Sequence, residues 1–164
     1  MTQQVSAPPA RSGLGTTGVS QTLRRDSRSR QVRLAARPSA AAWGRRIVRH
    51  VLCERQLEAI SATALQLVTD LIVNAVPASA RNPRRDQLSR QMIVLTVKLT
   101  GTSLRLEVWD ANPALPALRE ADVSGDCGRG LLRIDFLSDR WGYHAAGGGK
   151  AVWCEVTCPG AGSG

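Results

Sequence analysis

Aromatic side chains are scarce in this 164-residue chain, at 4%, so its core has to be assembled from Leu, Val, Ile and Ala. Lysine is scarcer still, with two residues against twenty arginines. Together with abundant Ala and Gly, that ratio points to coding bias in a GC-rich genome, and it weakens a functional reading of any single arginine. No uninterrupted apolar stretch approaches the roughly 18–20 residues that a membrane helix needs. The first thirty residues lack the apolar segment of a secretory signal, so a cytoplasmic protein with no membrane partner is expected. The four cysteines, Cys53, Cys127, Cys154 and Cys158, form no C-x-x-C pair and have no companion His at zinc spacing. On a strand, Cys154 and Cys158 share a face about 13 Å apart, beyond disulfide reach. Small buried hydrophobes in a reducing compartment are expected, with Cys127, beside a Gly-rich loop, as the accessible exception.

Hydrophobic residues make up 43% of the chain and charged residues 21%, enough for the core of one domain and contrary to disorder throughout. The formal net charge of +9 is unevenly placed. Residues 1–55 hold eleven arginines against Asp26 and Glu54, which already accounts for it, and residues 56–164 are neutral. Ser, Thr, Gly, Pro and Arg dominate residues 1–30, which read as a disordered basic arm. The same composition also fits an organellar transit peptide. An acidic partner surface is the sharper reading of the charge. No aromatic interleaves the arginines before Trp43, so a direct nucleic-acid partner is not expected.

Gln31 to Ala35 reads as a short entering strand. Ser39 can cap a helix to about Cys53, and a second helix over 54–76 carries Ile60, Ala64, Leu67, Val68, Leu71 and Ala75 at helical spacing, until Pro77 stops it. The stretch 78–90 reads as a polar loop. Ile93, Leu95, Val97 and Leu99, then Leu104, Leu106 and Val108, alternate around Gly101-Thr102 and predict a hairpin. A loop over 111–130, a helix from Leu131 to Ser138, a turn over 147–149 and a last strand over 151–157 complete the order. Helices followed by a hairpin, a loop, a helix and a strand imply an α+β layer. The domain is expected over 31–158, with a flexible tail over 159–164.

Three groups of residues have the right chemistry for a site. Asp70 and Asn74, four apart on the second helix, project from one side and suit a divalent ion with an oriented hydroxyl. A solvated polar pair is the plainer reading. Asp110 continues the core-facing row of its strand, which fits either an Asx turn or a buried acceptor for a ligand's amino group. Gly128-Arg129-Gly130 before Leu131 suits an anion at a helix N-terminus, or a simple flexible turn. His50 and His144 lack metal partners, and Trp43, Trp109, Trp141 and Trp153 read as packing residues.

In this order the pieces resemble the histidine-kinase-like ATPase superfamily, in its branch of bacterial anti-sigma factor serine kinases common in actinomycetes. The run Leu67-Val68-Thr69-Asp70-Leu71-Ile72-Val73-Asn74-Ala75-Val76 is similar to the family's helix motif. Val108-Trp109-Asp110-Ala111-Asn112-Pro113 is similar to its adenine-recognition motif. Gly128-Arg129-Gly130-Leu131-Leu132 is similar to its phosphate loop, and Gly148-Gly149-Lys150-Ala151-Val152-Trp153 to its closing strand. The resemblance implies a two-layer α/β sandwich with helices on one face of a mixed, mainly antiparallel sheet. It implies ATP and Mg²⁺ as cofactors, Asn74 as the metal ligand, and Asp70 as the base acting on an acceptor serine. Asp110 would accept from the adenine amino group, and Gly128, Arg129, Gly130 and Leu131 would line a mobile lid over the phosphates. The implied activity is protein serine/threonine kinase action on an anti-anti-sigma partner, with a sigma factor sequestered by the same domain and a homodimer allowed. Asp70 stands where the family usually has Glu, Pro77-Ala78 where it has Arg-His, and Ala151 where it has Thr. These differences motivate an alternative, a non-catalytic module that binds nucleotide weakly and sequesters a sigma factor or another regulator.

Overall fold

The computed structural model describes residues 29–81, 87–116 and 126–159. The basic arm up to residue 28 and the tail beyond 159, two segments singled out in the sequence, lie outside the described residues. Five strands form one sheet, β1 (Ser29–Ala35), β2 (Met92–Thr100), β3 (Ser103–Asp110), β4 (Arg140–Ala146) and β5 (Gly149–Thr157). Their spatial order is β1-β2-β3-β5-β4. Every pair is antiparallel, so the sheet is not mixed. Helices α1 (Ala40–Glu54), α2 (Ser61–Ala80) and α4 (Asp126–Leu137), with the single turn α3 (Gln87–Arg90), complete an α+β fold.

The alternation in β2 and β3 places one row of side chains on the helices. Leu95 faces Val108 and Val97 faces Leu106; Leu106 in turn faces Cys154, and Val108 faces Val152. Against this row pack Val48 and Leu52 of α1, and Leu67, Val68, Leu71 and Ile72 of α2. By length and composition the segment Glu58–Ala80 would pass for a membrane span. Here its apolar residues are the central layer of the core. Gly44 lets α1 cross α2 closely, since a Cβ there would stand 2.2 Å from Ile72 Cδ1.

Several boundaries differ from the sequence expectation, each for a local reason. The two N-terminal helices do not meet at Glu54. Gln56 takes φ 54°, Leu57 N–H bonds Leu52 O at 2.9 Å and Gln56 N–H bonds Cys53 O at 3.2 Å. That is the double closure of a left-handed helix end, and α2 starts afresh at Ser61. Pro77 does not stop α2; it sits inside the last turn, and the helix runs to Ala80. A proline removes one backbone donor, and Ser79 ties this end of the helix to the sheet: its hydroxyl donates to Met92 O at 3.1 Å and accepts from Ala111 N–H at 3.4 Å. The expected loop over 78–90 is therefore helical at both ends. Strand β4 was not anticipated, because Gly142 and His144 interrupt its alternation. It is closed onto β5 by Gly147 and Gly148, with φ 55° and 75°, the conformation of a tight hairpin turn.

The second face of the sheet carries no helix among the described residues. Arg105 lies 3.9 Å from the centroid of Trp153 and bonds Glu155 at 3.0 Å and Glu107 at 3.1 Å. Arg140 reaches the other oxygen of Glu155. Trp109 donates to Ala146 O at 2.7 Å. Trp43 is not a packing residue: it is 54% exposed on α1, with Arg46 over its ring at 5.0 Å.

Cys154 and Cys158 are free and buried in the core, whereas Cys53 is free and exposed, against expectation. Burial pushes the Cys154 thiol up to about 12, and it raises Cys158 as well. The thiolate is the reactive species. Brief alkylation of the native protein is therefore expected to label Cys53 and spare Cys154 and Cys158 until denaturant is added. Peptide mass mapping checks this, and early label on Cys154 would contradict the burial.

Candidate functional site

All four of the sequence motifs converge below the C-terminal half of α2. Helix α2 supplies Leu71 and Asn74, the end of β3 supplies Val108 and Asp110, α4 supplies Leu131, and β5 supplies Lys150. Together with Ala114, Leu115 and Pro116 they line a pocket of about 300 Å³. Its walls are mainly apolar with a few convergent polar groups, at the lower end of ligand-site volumes.

Asp110 forms the Asx turn that its position allows. Asn112 N–H donates to its Oδ1 at 2.9 Å, closing the Asx turn. Lys150 Nζ meets the same oxygen at 2.9 Å in a buried ion pair, and Asp110 lines the pocket. Burial pushes the Asp110 carboxyl above its ordinary value, and the hydrogen bonds from Lys150 and Asn112 hold that rise back. Lys150, only 6% exposed, also donates to Asn112 O at 2.9 Å. The sequence reading passed over this lysine, although a signal was there. Lys150 shares the core-facing row of Val152 and Cys154, and a cation on such a row needs an acid opposite. Ala151 pairs with Trp109 on the other face of the sheet. A side chain there points away from Asp110.

Asp70 and Asn74 are not a solvated pair. Asp70 is 1% exposed, and both its oxygens are engaged. Arg133 of α4 contacts Oδ1 through Nη2 at 2.5 Å and Oδ2 through Nε at 3.1 Å, and Gln66 reaches Oδ2 at 3.2 Å. Asp70 is not among the residues lining the pocket. Asn74 lines it, and both amide atoms of its side chain are buried without a hydrogen-bond partner among the described residues. Two such orphaned atoms are costly and call for an explanation. Arg133 gave no sign in sequence, because its partner lies 63 positions away.

The glycine segment differs most from expectation. Helix α4 begins at Asp126, so Gly128, Arg129 and Gly130 are helical and do not form a loop ahead of Leu131. The surroundings of Gly128 lie outside the described side chains. Arg129 is exposed. Gly130 packs on Asn74, and a Cβ there would stand 2.8 Å from Asn74 Oδ1. The first turns of α4 therefore cover Asn74 through Gly130 and hold Asp70 through Arg133. Among the described residues, no group of three or more His, Cys, Asp or Glu could hold a metal ion.

No family model matches the chain. A Streptomyces coelicolor protein described as uncharacterized protein SCO4941 is 40% identical over 63 residues. The match covers 37% of this chain and 59% of that protein.

Proposed function

We propose that the chain is a nucleotide-binding regulatory domain of the anti-sigma serine kinase type, working in the cytoplasm. ATP would occupy the pocket, and the acceptor would be a serine of an anti-anti-sigma partner, with a sigma factor as the sequestered partner. The observation that carries this reading is the gathering of Asn74, Asp110 and Leu131, from three separate motifs, around one pocket with apolar walls. The orphaned Asn74 amide fits a Mg²⁺ role: Mg²⁺ keeps most of its ligands as water and phosphate oxygen, so one protein oxygen suffices. When bound, the ion would neutralise charge on the phosphates.

In the catalytic form, Asp70 takes the proton of the serine hydroxyl. The serine oxygen bonds to the γ-phosphorus, the bond to the β-bridging oxygen breaks, and ADP leaves. Asp70 can accept a proton only after Arg133 gives up one of its oxygens. The Asp70–Arg133 pair is the specific observation favouring the second reading, a module that binds partner and nucleotide without transferring phosphate.

A thermal-shift titration with Mg-ATP tests the pocket. A ligand at a hundred times its dissociation constant adds about 2.7 kcal/mol, a rise of several degrees for a domain of this size. The shift is expected in the native chain and is expected to vanish in Asn74→Ala. No shift in the folded native chain would remove the nucleotide reading. A normal shift without labelling of the partner from γ-labelled ATP would decide for the non-catalytic module.

A further inference from the structure

This inference rests on the nucleotide reading of the pocket and adds a residue to it. Asp110 and Lys150 are direct partners in the β3–β5 register, both are buried, and both line the pocket. Oδ1 of Asp110 is filled by Lys150 Nζ and Asn112 N–H, each at 2.9 Å. Among the described residues, Oδ2 takes no hydrogen bond. The Lys150 ammonium carries three hydrogens. One goes to Asp110 Oδ1 and one to Asn112 O, which leaves one. The end wall of the pocket thus offers a donor and an acceptor side by side. Their charges offset each other, so the wall suits a neutral heteroaromatic edge better than a second ion.

We propose that Lys150 is a specificity-determining residue: it donates to ring nitrogen N1 of a bound 6-aminopurine while Asp110 Oδ2 accepts from the adjacent 6-amino group. An isolated carboxylate reads one atom of that edge, whereas the pair reads two neighbouring atoms of opposite hydrogen-bonding sense. No side chain at position 151 can serve in this way, since that position faces the other side of the sheet. The same geometry gives Lys150 a second task, holding the Asp110 carboxylate in place before the ligand arrives.

The experiment compares ATP with 1-deaza-ATP, in which N1 is replaced by C–H, by calorimetric titration of the full chain with Mg²⁺ present. A buried donor left without its acceptor should weaken 1-deaza-ATP by about tenfold or more. In Lys150→Met the two ligands are expected to bind within about twofold of each other. If that variant does not fold, Lys150→Gln keeps a neutral donor and should show an intermediate ratio. A native ratio near one overturns the Lys150 contact and leaves the ATP pocket standing. A large native ratio that persists in the lysine variants also overturns it, because another group then reads N1. If ATP itself does not bind, the pocket reading fails and this inference fails with it.

Discussion

Gly149→Ala is expected to destabilise the domain by about 3 kcal/mol, lowering the thermal midpoint by roughly 10 °C. The new Cβ would stand 2.0 Å from the carbonyl oxygen of Asp110 and 3.0 Å from Ala111 Cα. Both are backbone atoms at the end of β3, so no rotamer change can make room. The two strands must part where Asp110 faces Lys150, and the Mg-ATP shift should shrink together with the stability. Melting followed by circular dichroism checks the first effect. A midpoint within 2–3 °C of native would mean that the close approach at this position is not real.

Lys150→Met should cost about 3–5 kcal/mol, because it leaves a carboxylate buried without its partner. Both side chains of this pair are nearly wholly enclosed, so water cannot take over the role of the ammonium. The loss should depend on pH in a definite sense. Burial already pushes the Asp110 carboxyl above its unfolded value. Such a group stabilises fully below the unfolded value and loses that contribution as pH rises through the folded one. Removing Lys150 removes the counterweight and raises the folded value further. The variant should therefore lie closest to the native protein near pH 4 and furthest from it at pH 7. Pairing the change with Asp110→Asn should recover much of the loss, since the uncompensated charge is gone. Denaturant melts of the four proteins at two pH values measure both effects. Equal losses at pH 4 and pH 7 would show that the lysine acts by packing alone.

How far the sequence could be read depended on the range of the cause. The β2–β3 hairpin was legible because Leu95, Val97, Leu106 and Val108 alternate around a glycine turn, and alternation is a local property. Helix α2 was legible for the same reason, but its end was not. Pro77 costs the helix one bond, but Ser79 anchors the same turn to residues far along the chain, which local sequence does not show. Strand β4 was hidden because an edge strand next to β5 does not need strict alternation to be held. At the site, Asp70, Asn74 and Asp110 could be named from their spacing and their place on a buried row. Their partners, Arg133 and Lys150, could not be assigned, since packing of α4 on α2 and the β3–β5 register bring them together. Where α4 begins was misread because two glycines look like a loop until Gly130 is seen against Asn74.

The strand order also sets a sequence of events for the chain as it folds. The β2–β3 and β4–β5 hairpins each close across two residues and can form within microseconds. Joining them as β3–β5 requires a longer closure, and adding β1 requires the whole of α1 and α2 to be traversed first. Closure entropy rises with that separation, and such pairings form slowly. The pocket lies at the first of these longer closures, where β3 meets β5 under α2. Asp110 and Lys150 thus come together only after the two local hairpins have found each other. Any slip in that encounter misplaces Lys150 relative to Asp110 before it disturbs either hairpin.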